Sequence, residues 1–214
     1  MMATQTSDYA ARLQIDYPEE LDRLTTLLRI LWLIPIVILL SILTASGDQY
    51  GQSSTGEWVQ TSGGGIGGGL AVATALMILF RQRYPRWWFD FALGLARFSS
   101  RVGAYATLLT DQYPSTEDEQ SVHLELDYPD AANDLNRWLP LVKWLLAIPH
   151  YLVLIVLAIG AFFAIVIAWF AILFTGRYPE GLFKYVVGVG RWALRVEAYA
   201  LLMLTDRYPP FSLD

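Results

Sequence analysis

The feature that most constrains this chain is an internal repeat. Residues 83–109 align with residues 177–203 with twelve identities in twenty-seven positions, among them Arg-Tyr-Pro, Phe89 with Phe183, Gly94 with Gly188, Arg97 with Arg191, Arg101 with Arg195 and Tyr105 with Tyr199. One residue further on, Thr110-Asp111-x-Tyr113-Pro114 answers Thr205-Asp206-x-Tyr208-Pro209. Upstream, LQIDYP ending at Pro18 answers LELDYP ending at Pro129, and Leu33-Ile34-Pro35 answers Ala147-Ile148-Pro149. A fixed-period match of this kind decides architecture before any local propensity does. It predicts two parallel tandem repeats, 1–115 and 116–214, joined through the acidic stretch STEDEQS at 115–121. Six of the ten prolines follow a tyrosine, three such pairs in each half.

Between the first and second Tyr-Pro of each half the chain is apolar. Over the whole chain 55% of residues are hydrophobic and only 16% are charged, a balance that points to a membrane protein. In the first half, residues 24–44 and 64–81 are two helix-length apolar runs. In the second half, residues 138–176 are apolar throughout, which as one helix would extend about 58 Å at 1.5 Å per residue. A hydrocarbon core of roughly 30 Å predicts instead a hairpin turning near Gly160, with spans at 138–158 and 161–176. The polar insertion at 46–65 carries Asp48 and Glu57 and none of the fifteen Lys and Arg residues. The positive-inside bias then puts both termini in the cytoplasm and the turns of both hairpins on the far side. The acidic residues before the first apolar run, from Asp8 to Asp22, are wrong for a cleaved signal peptide, so that run is expected to remain. The absence of cysteine removes disulfides and thiolate chemistry, and a net charge of -5 argues against nucleic acid.

After Arg-Tyr-Pro each half carries a third element, 86–110 and 180–205. Asp90, Gly94, Arg97 and Arg101 share one helical face, as do Lys184, Gly188, Arg191 and Arg195. Two arginines inside a span cost a few kcal/mol each, so these elements are expected to lie flat as cytoplasmic amphipathic helices. Their cations would meet anionic lipid headgroups or an acidic partner, or simply snorkel to water. Proline disfavours the α conformation in the residue before it and suits the first turn of a following helix. Each Tyr-Pro is thus a boundary post, with Tyr84, Tyr113, Tyr178 and Tyr208, together with Trp87 and Trp88, expected as interfacial anchors. Alternation in 13–17 and 122–128 predicts a short strand before each first post.

Little of the remaining polar inventory has a catalytic pattern. His150 invites a proton-relay or metal reading, but it stands without a second histidine or acid nearby and is expected as a helix-helix hydrogen-bond donor. The run GGGIGGG at 63–69 lacks the Gly-Lys-Ser/Thr of a phosphate loop. Gly65, Gly69 and Ala73 instead give a small-xxx-small face for helix packing. Asp111 and Asp206, one per half, are expected to pair with nearby arginines or cap a turn, and Trp58 to anchor the outer loop.

The second half, AIPHYLVL…WFAILFTGRYPEGLF…GRWALRVEAYALLMLTDRYPPFSL, resembles a bacterial membrane family, domain of unknown function 4389. Ile148-Pro149-His150, Gly176-Arg177-Tyr178-Pro179 and Arg191 to Arg195 carry the resemblance over nearly all of 124–213. The first half resembles it more distantly, having Ile36 for the histidine and Gln82 for the glycine. The resemblance implies an integral membrane protein of bacterial type and supplies no activity. The expectation is an all-α, four-span protein of the bacterial inner membrane, a non-enzymatic scaffold or accessory subunit without cofactor or metal. Its partners would be anionic lipids, a membrane protein or a second copy. A small transporter, channel or lipid-handling protein is the alternative, although the spans offer few polar groups for transport.

Overall fold

The computed structural model describes residues 9–44, 48–52, 58–62 and 66–214. In chain order these form β1 (Ala11–Ile15), α1 (Arg23–Thr44), β2 (Asp48–Gln52), β3 (Trp58–Ser62), α2 (Ile66–Arg81), α3 (Arg86–Ala106), β4 (Val122–Leu126), α4 (Pro140–Leu146), α5 (Ile148–Thr175) and α6 (Glu180–Ala200). The chain is mostly helical but not purely so. Sheets of two antiparallel strands join β1 to β4 and β2 to β3, the latter lying in the polar insertion.

Local chemistry sets the helix boundaries. Asp22 caps α1, its carboxylate accepting from Leu24 N at 3.1 Å and Thr25 N at 3.3 Å. The Tyr-Pro pairs open α3 and α6: Pro85 (ψ 133°) and Pro179 (ψ 123°) hold the extended conformation immediately before the first helical turn. Gly176, at φ 76°, closes α5 in the left-handed conformation that glycine adopts without a Cβ penalty. Gln82, the residue aligned with it, is also left-handed at φ 45° after α2.

The second half departs from the expected hairpin. Residues 148–175 are one continuous helix of 28 residues passing straight through Gly160. A single glycine among good helix formers weakens a helix by about 1 kcal/mol and does not turn it, and no polar or Pro-containing segment stands here to receive a turn. The chain instead breaks at Ala147, two residues before Pro149, which separates the short α4 from α5. What Gly160 does is admit a neighbour. A Cβ there would stand 2.5 Å from the Tyr185 hydroxyl, which donates to Leu157 O at 2.9 Å.

The elements stack in three strata. α6 runs antiparallel to α5, with Tyr185 at Leu157 and Trp192 at His150. Its other side packs on β1, where Gly190 faces Leu13 and Arg191 Nε donates to Leu13 O at 3.0 Å. In the same way α3 lies on β4, with Arg97 Nε donating to Leu124 O at 3.1 Å. The start of α1 meets the last third of α5 through Trp169 Nε1–H to Thr26 O at 3.3 Å. Strands, then α3 and α6, then the apolar helices form successive layers, and the core of Leu13, Leu124, Phe89, Phe183, Val186 and Ile172 lies among them.

The Gly160–Tyr185 approach gives a direct test of the continuous helix. Gly160→Ala is expected to lower Tm in detergent and Tyr185→Phe to lower it through the lost hydrogen bond. The double variant should be less damaged than the sum, because removing the hydroxyl frees the space the methyl needs. Additive losses in a thermal melt would contradict the contact.

Candidate functional site

Two buried cations grip the ends of the middle-layer helices. Arg29 of α1, 1% exposed, donates through Nη1 to Tyr105 O at 2.8 Å and Thr110 O at 3.0 Å, pairs with Asp111, and lies 4.6 Å over the Tyr105 ring. Lys143 of α4, fully buried, pairs with Asp206 at 2.8 Å, donates to Thr205 O at 2.8 Å, and lies 5.1 Å over the Tyr199 ring. Each aspartate also accepts a backbone N–H at the head of the incoming chain, Asp22 N at 2.7 Å to Asp111 and Asn136 N at 2.5 Å to Asp206. The turns that deliver these aspartates are left-handed at Leu108 (φ 66°) and Met203 (φ 55°). Non-glycine residues there carry strain of about 1–3 kcal/mol, which the buried pairs hold in place. Cations at helix C-termini also meet the negative end of the helix dipole.

Sequence reasoning passed over Arg29 and Lys143, because both sit inside apolar runs. A signal was present: each stands six residues before its Ile-Pro, Pro35 and Pro149, and each half holds one Thr-Asp before its last Tyr-Pro.

The arginines singled out from the sequence point into the protein. Arg97 and Arg191 reach the strand carbonyls already described, and Arg191 Nη1 also donates to Leu213 O at 3.3 Å. Arg101 Nη1 donates to Ser115 O at 2.6 Å. Arg195, 2% exposed, donates to Asp214 O. Lys184 stands in the open, 3.5 Å from Glu180, and Arg97 keeps an exposed side chain while reaching its carbonyl.

The tyrosine posts divide. Tyr84 and Tyr178 are interior, and burial pushes the Tyr84 phenol up to about 12. Tyr84 O accepts from Tyr128 OH, and Tyr178 O accepts from Tyr17 OH. Edge-to-face rings surround both, Phe89 and Tyr128 about Tyr84, Phe183 beside Tyr178 and Tyr17. Tyr113, Tyr208 and Trp87 are exposed, while Trp88 donates to Thr74 Oγ1 at 2.9 Å. Of the packing residues, Gly69 and Ala73 lie on α2 with Gly69 facing open space, and Gly65 lies outside the described residues. His150 is fully buried, stacked on Phe211 at 4.0 Å, and its Nδ1 accepts from Trp192 Nε1–H at 3.1 Å. The helix-helix bond is present, but the histidine accepts it and is not the expected donor, because the indole N–H can only donate; the proton of a neutral ring is then on Nε2.

Several concave surfaces lie among the described residues; one of about 790 Å³ is lined by Tyr17, Lys184, Arg191 and Asp214, and two others bear on a site. An apolar groove of about 440 Å³ runs between α3, α5 and α6, lined by Ala96, Ser99, Gly103, Ala161, Val186 and Glu197 among others. Glu197 also borders a smaller pocket with Thr74, Trp88 and Leu202. Apolar crowding pushes its carboxyl pKa up. The second surface, about 710 Å³, lies where α2 passes into α3 and is lined by Arg81, Arg83, Tyr84, Tyr128 and Asp130. Arg86 lies 4.8 Å over the Tyr128 ring, and Arg137 donates to Gln82 Oε1 at 3.0 Å beside it. Asp130 is occupied by its own turn through Ala132 N and the Asn133 side chain. Among the described residues neither Arg81 nor Arg83 has an ion-pair partner.

A family model described as a domain of unknown function (DUF4389) matches residues 138–212, in one copy. The match spans α4, α5 and α6 and so includes Lys143, His150, Arg191 and Asp206. No curated protein and no solved structure matches the chain.

Removing one partner of a buried pair leaves the other uncompensated, at about 3–5 kcal/mol. Lys143→Met should therefore melt well below the parent, and Lys143→Met with Asp206→Asn should recover most of the loss. For Glu197 the raised folded pKa means the native state holds its proton longer than the unfolded chain. Its contribution is thus full below the ordinary carboxylate value of 4.5 and falls as pH rises toward the shifted value. Melts of Glu197→Gln across that window should lack this decline.

Proposed function

We propose that the chain is a non-enzymatic scaffold or accessory subunit of the bacterial cytoplasmic membrane, built from two related halves, that binds membrane partners and anionic lipid headgroups. The observation that carries the reading is the outer face of α5. This helix is long and apolar enough to cross a membrane by length and composition, and only 17% of its most apolar stretch is buried, unlike the mostly buried core helix of a water-soluble domain, which supports the membrane reading. Exposed apolar residues of α1 and α4, such as Ile30, Leu31 and Trp144, extend the same surface.

The two-half reading draws support from contacts that recur at aligned positions. Arg97 to Leu124 O matches Arg191 to Leu13 O, Tyr128 to Tyr84 O matches Tyr17 to Tyr178 O, and Arg29–Asp111 matches Lys143–Asp206. The first two pairs run from one half to the other. A pseudo-two-fold axis through the Leu13–Leu124 pair accounts for all of them.

The headgroup reading is best supported at the corner of Arg81, Arg83, Arg86 and Arg137, where exposed Trp87 and Trp138 stand beside the cations. Lys184 on α6 and Arg97 on α3 are further exposed cations of these helices. Lipid handling is a second reading, favoured by the apolar groove that ends at Glu197.

Arg81→Ala with Arg83→Ala should weaken binding of the purified protein to phosphatidylglycerol vesicles by about fivefold per charge, from about 1 kcal/mol for each basic residue near the surface. Unchanged lipid selectivity would remove the headgroup part. Nanodisc purification yielding one stoichiometric protein partner supports the scaffold; a chain that moves labelled lipid between vesicles, and stops with Glu197→Gln, supports the second reading instead.

A further inference from the structure

We infer that α5 lies in the plane of a single leaflet, its outer face among the acyl chains, and does not cross the bilayer. The inference rests on the membrane reading above. It comes from where the two ends of α5 are tied.

At its first turn His150 meets Trp192, and the adjacent Arg191 donates to Leu13 O at 3.0 Å. At its last turn Gly176 O accepts from Leu21 N at 2.8 Å, and Tyr178 O accepts from Tyr17 OH. Residues 13–21 therefore run from β1, on the far side of α6, to the last turn of α5, and with Leu13 and Ile15 lining the groove beside Ala158 and Ala161 they accompany its second half. The helix is about 42 Å long at 1.5 Å per residue. Were it to cross a hydrocarbon core of roughly 30 Å, it would carry this segment through as well. That segment leaves the two-stranded sheet at Ile15 as irregular chain and exposes Asp16, Glu19 and Glu20. Open strand edges and exposed carboxylates have no place in hydrocarbon.

The polarity of the molecule gives the same direction. Ions gather on the strand layer, where Arg12 bridges Asp127 at 2.6 Å and Glu125 at 3.2 Å and His123 meets Asp16 at 3.2 Å. On the opposite layer Val156, Ile159, Phe163, Ile167, Phe170 and Phe174 are exposed along the full length of α5 without a polar interruption. The axis from charged to apolar is perpendicular to the helix. A spanning helix presents water, hydrocarbon and water along its length; this one presents hydrocarbon along its length and water behind it. The occupant that fits a continuous apolar stripe with a charged back is the acyl surface of one leaflet.

The cysteine-free chain makes the test direct. Single cysteines at Val156, Phe163 and Phe174 in the full chain, carrying a bimane and reconstituted in vesicles, are read with brominated lipids of graded depth. The expected result is one common depth; spanning would separate Val156 from Phe174 by about 27 Å along the helix and make Phe163 deepest. Trp138→Cys and Thr175→Cys, at opposite ends of the α4–α5 rod, should react with an impermeant maleimide from the same side. Opposite-side labelling, or a depth profile centred on Phe163, overturns the in-plane placement and leaves the membrane reading standing. Release from vesicles by carbonate with no quenching overturns both. Lipid-shielded labels that cross-link between copies assign the face to a second chain and also overturn it. Oriented circular dichroism of the unsubstituted chain needs no variant: helices parallel to the bilayer are expected, and a transmembrane signature is the contrary result.

Discussion

The arrangement depends on one pairing, that of β1 with β4. The strands meet with Leu13 opposite Leu124, and the carbonyl of each central leucine accepts from an arginine on the helix that covers it, Arg191 on α6 and Arg97 on α3. A two-stranded sheet is marginal alone in water. Here its free acceptors are taken by guanidinium groups, and its buried face is closed by two helices from different parts of the chain. Because β1 precedes α1 while β4 follows α3, the pairing joins segments over a hundred residues apart and commits the first part of the chain to the last.

The buried cations follow from that commitment. Once α3 and α6 are fixed to the strands, the carbonyls of Tyr105 at the end of α3 and of Thr110 and Thr205 in the turns that follow α3 and α6 are buried and need donors that water cannot supply there. Arg29 and Lys143 bring those donors from α1 and α4, and Asp111 and Asp206 balance the charge while receiving the backbone N–H groups of Asp22 and Asn136. Each cluster thus joins three stretches of chain at one point. Burying a cation is unfavourable by itself, so these positions specify where the apolar helices sit more than they add stability.

The sequence makes some of this readable and hides the rest for definite reasons. The starts of α3 and α6 are readable because proline acts locally, through its own φ and the conformation of its neighbour. The strands at 11–15 and 122–126 are readable from alternation, within two residues. Their pairing with each other is not, since nothing in LQIDYP states what it faces. Gly160 misleads because a length argument against a 30 Å core presumes that the helix crosses that core; a helix lying along it has no such limit. Arg29 and Lys143 are hidden by averaging, one cation being lost in a long apolar window, and they emerge only when the two halves are compared position by position. The aromatic posts are read as anchors from composition, yet Tyr84 and Tyr178 spend their rings on Phe89 and Phe183, because a helix break next to a strand layer is as good a place to bury a ring as a headgroup layer.

The arginine faces of α3 and α6 carry the most general point. Helical spacing places Arg97 with Arg101 and Arg191 with Arg195 correctly on one face, and physical chemistry rightly demands acceptors for them. A lipid phosphate and a backbone carbonyl both satisfy that demand, and spacing on one helix cannot distinguish the two. What distinguishes them is supply: β1, β4 and the C-terminal residues offer unpaired carbonyls within reach, at Leu13, Leu124, Leu213 and Asp214. With those acceptors inside the molecule, the cationic faces turn toward the strands and the apolar faces pack against the layer of apolar helices. Among the described residues the corner at Arg81 and Arg83 has no ion-pair partner of its own, which is why the headgroup proposal is placed there and not on the arginine faces.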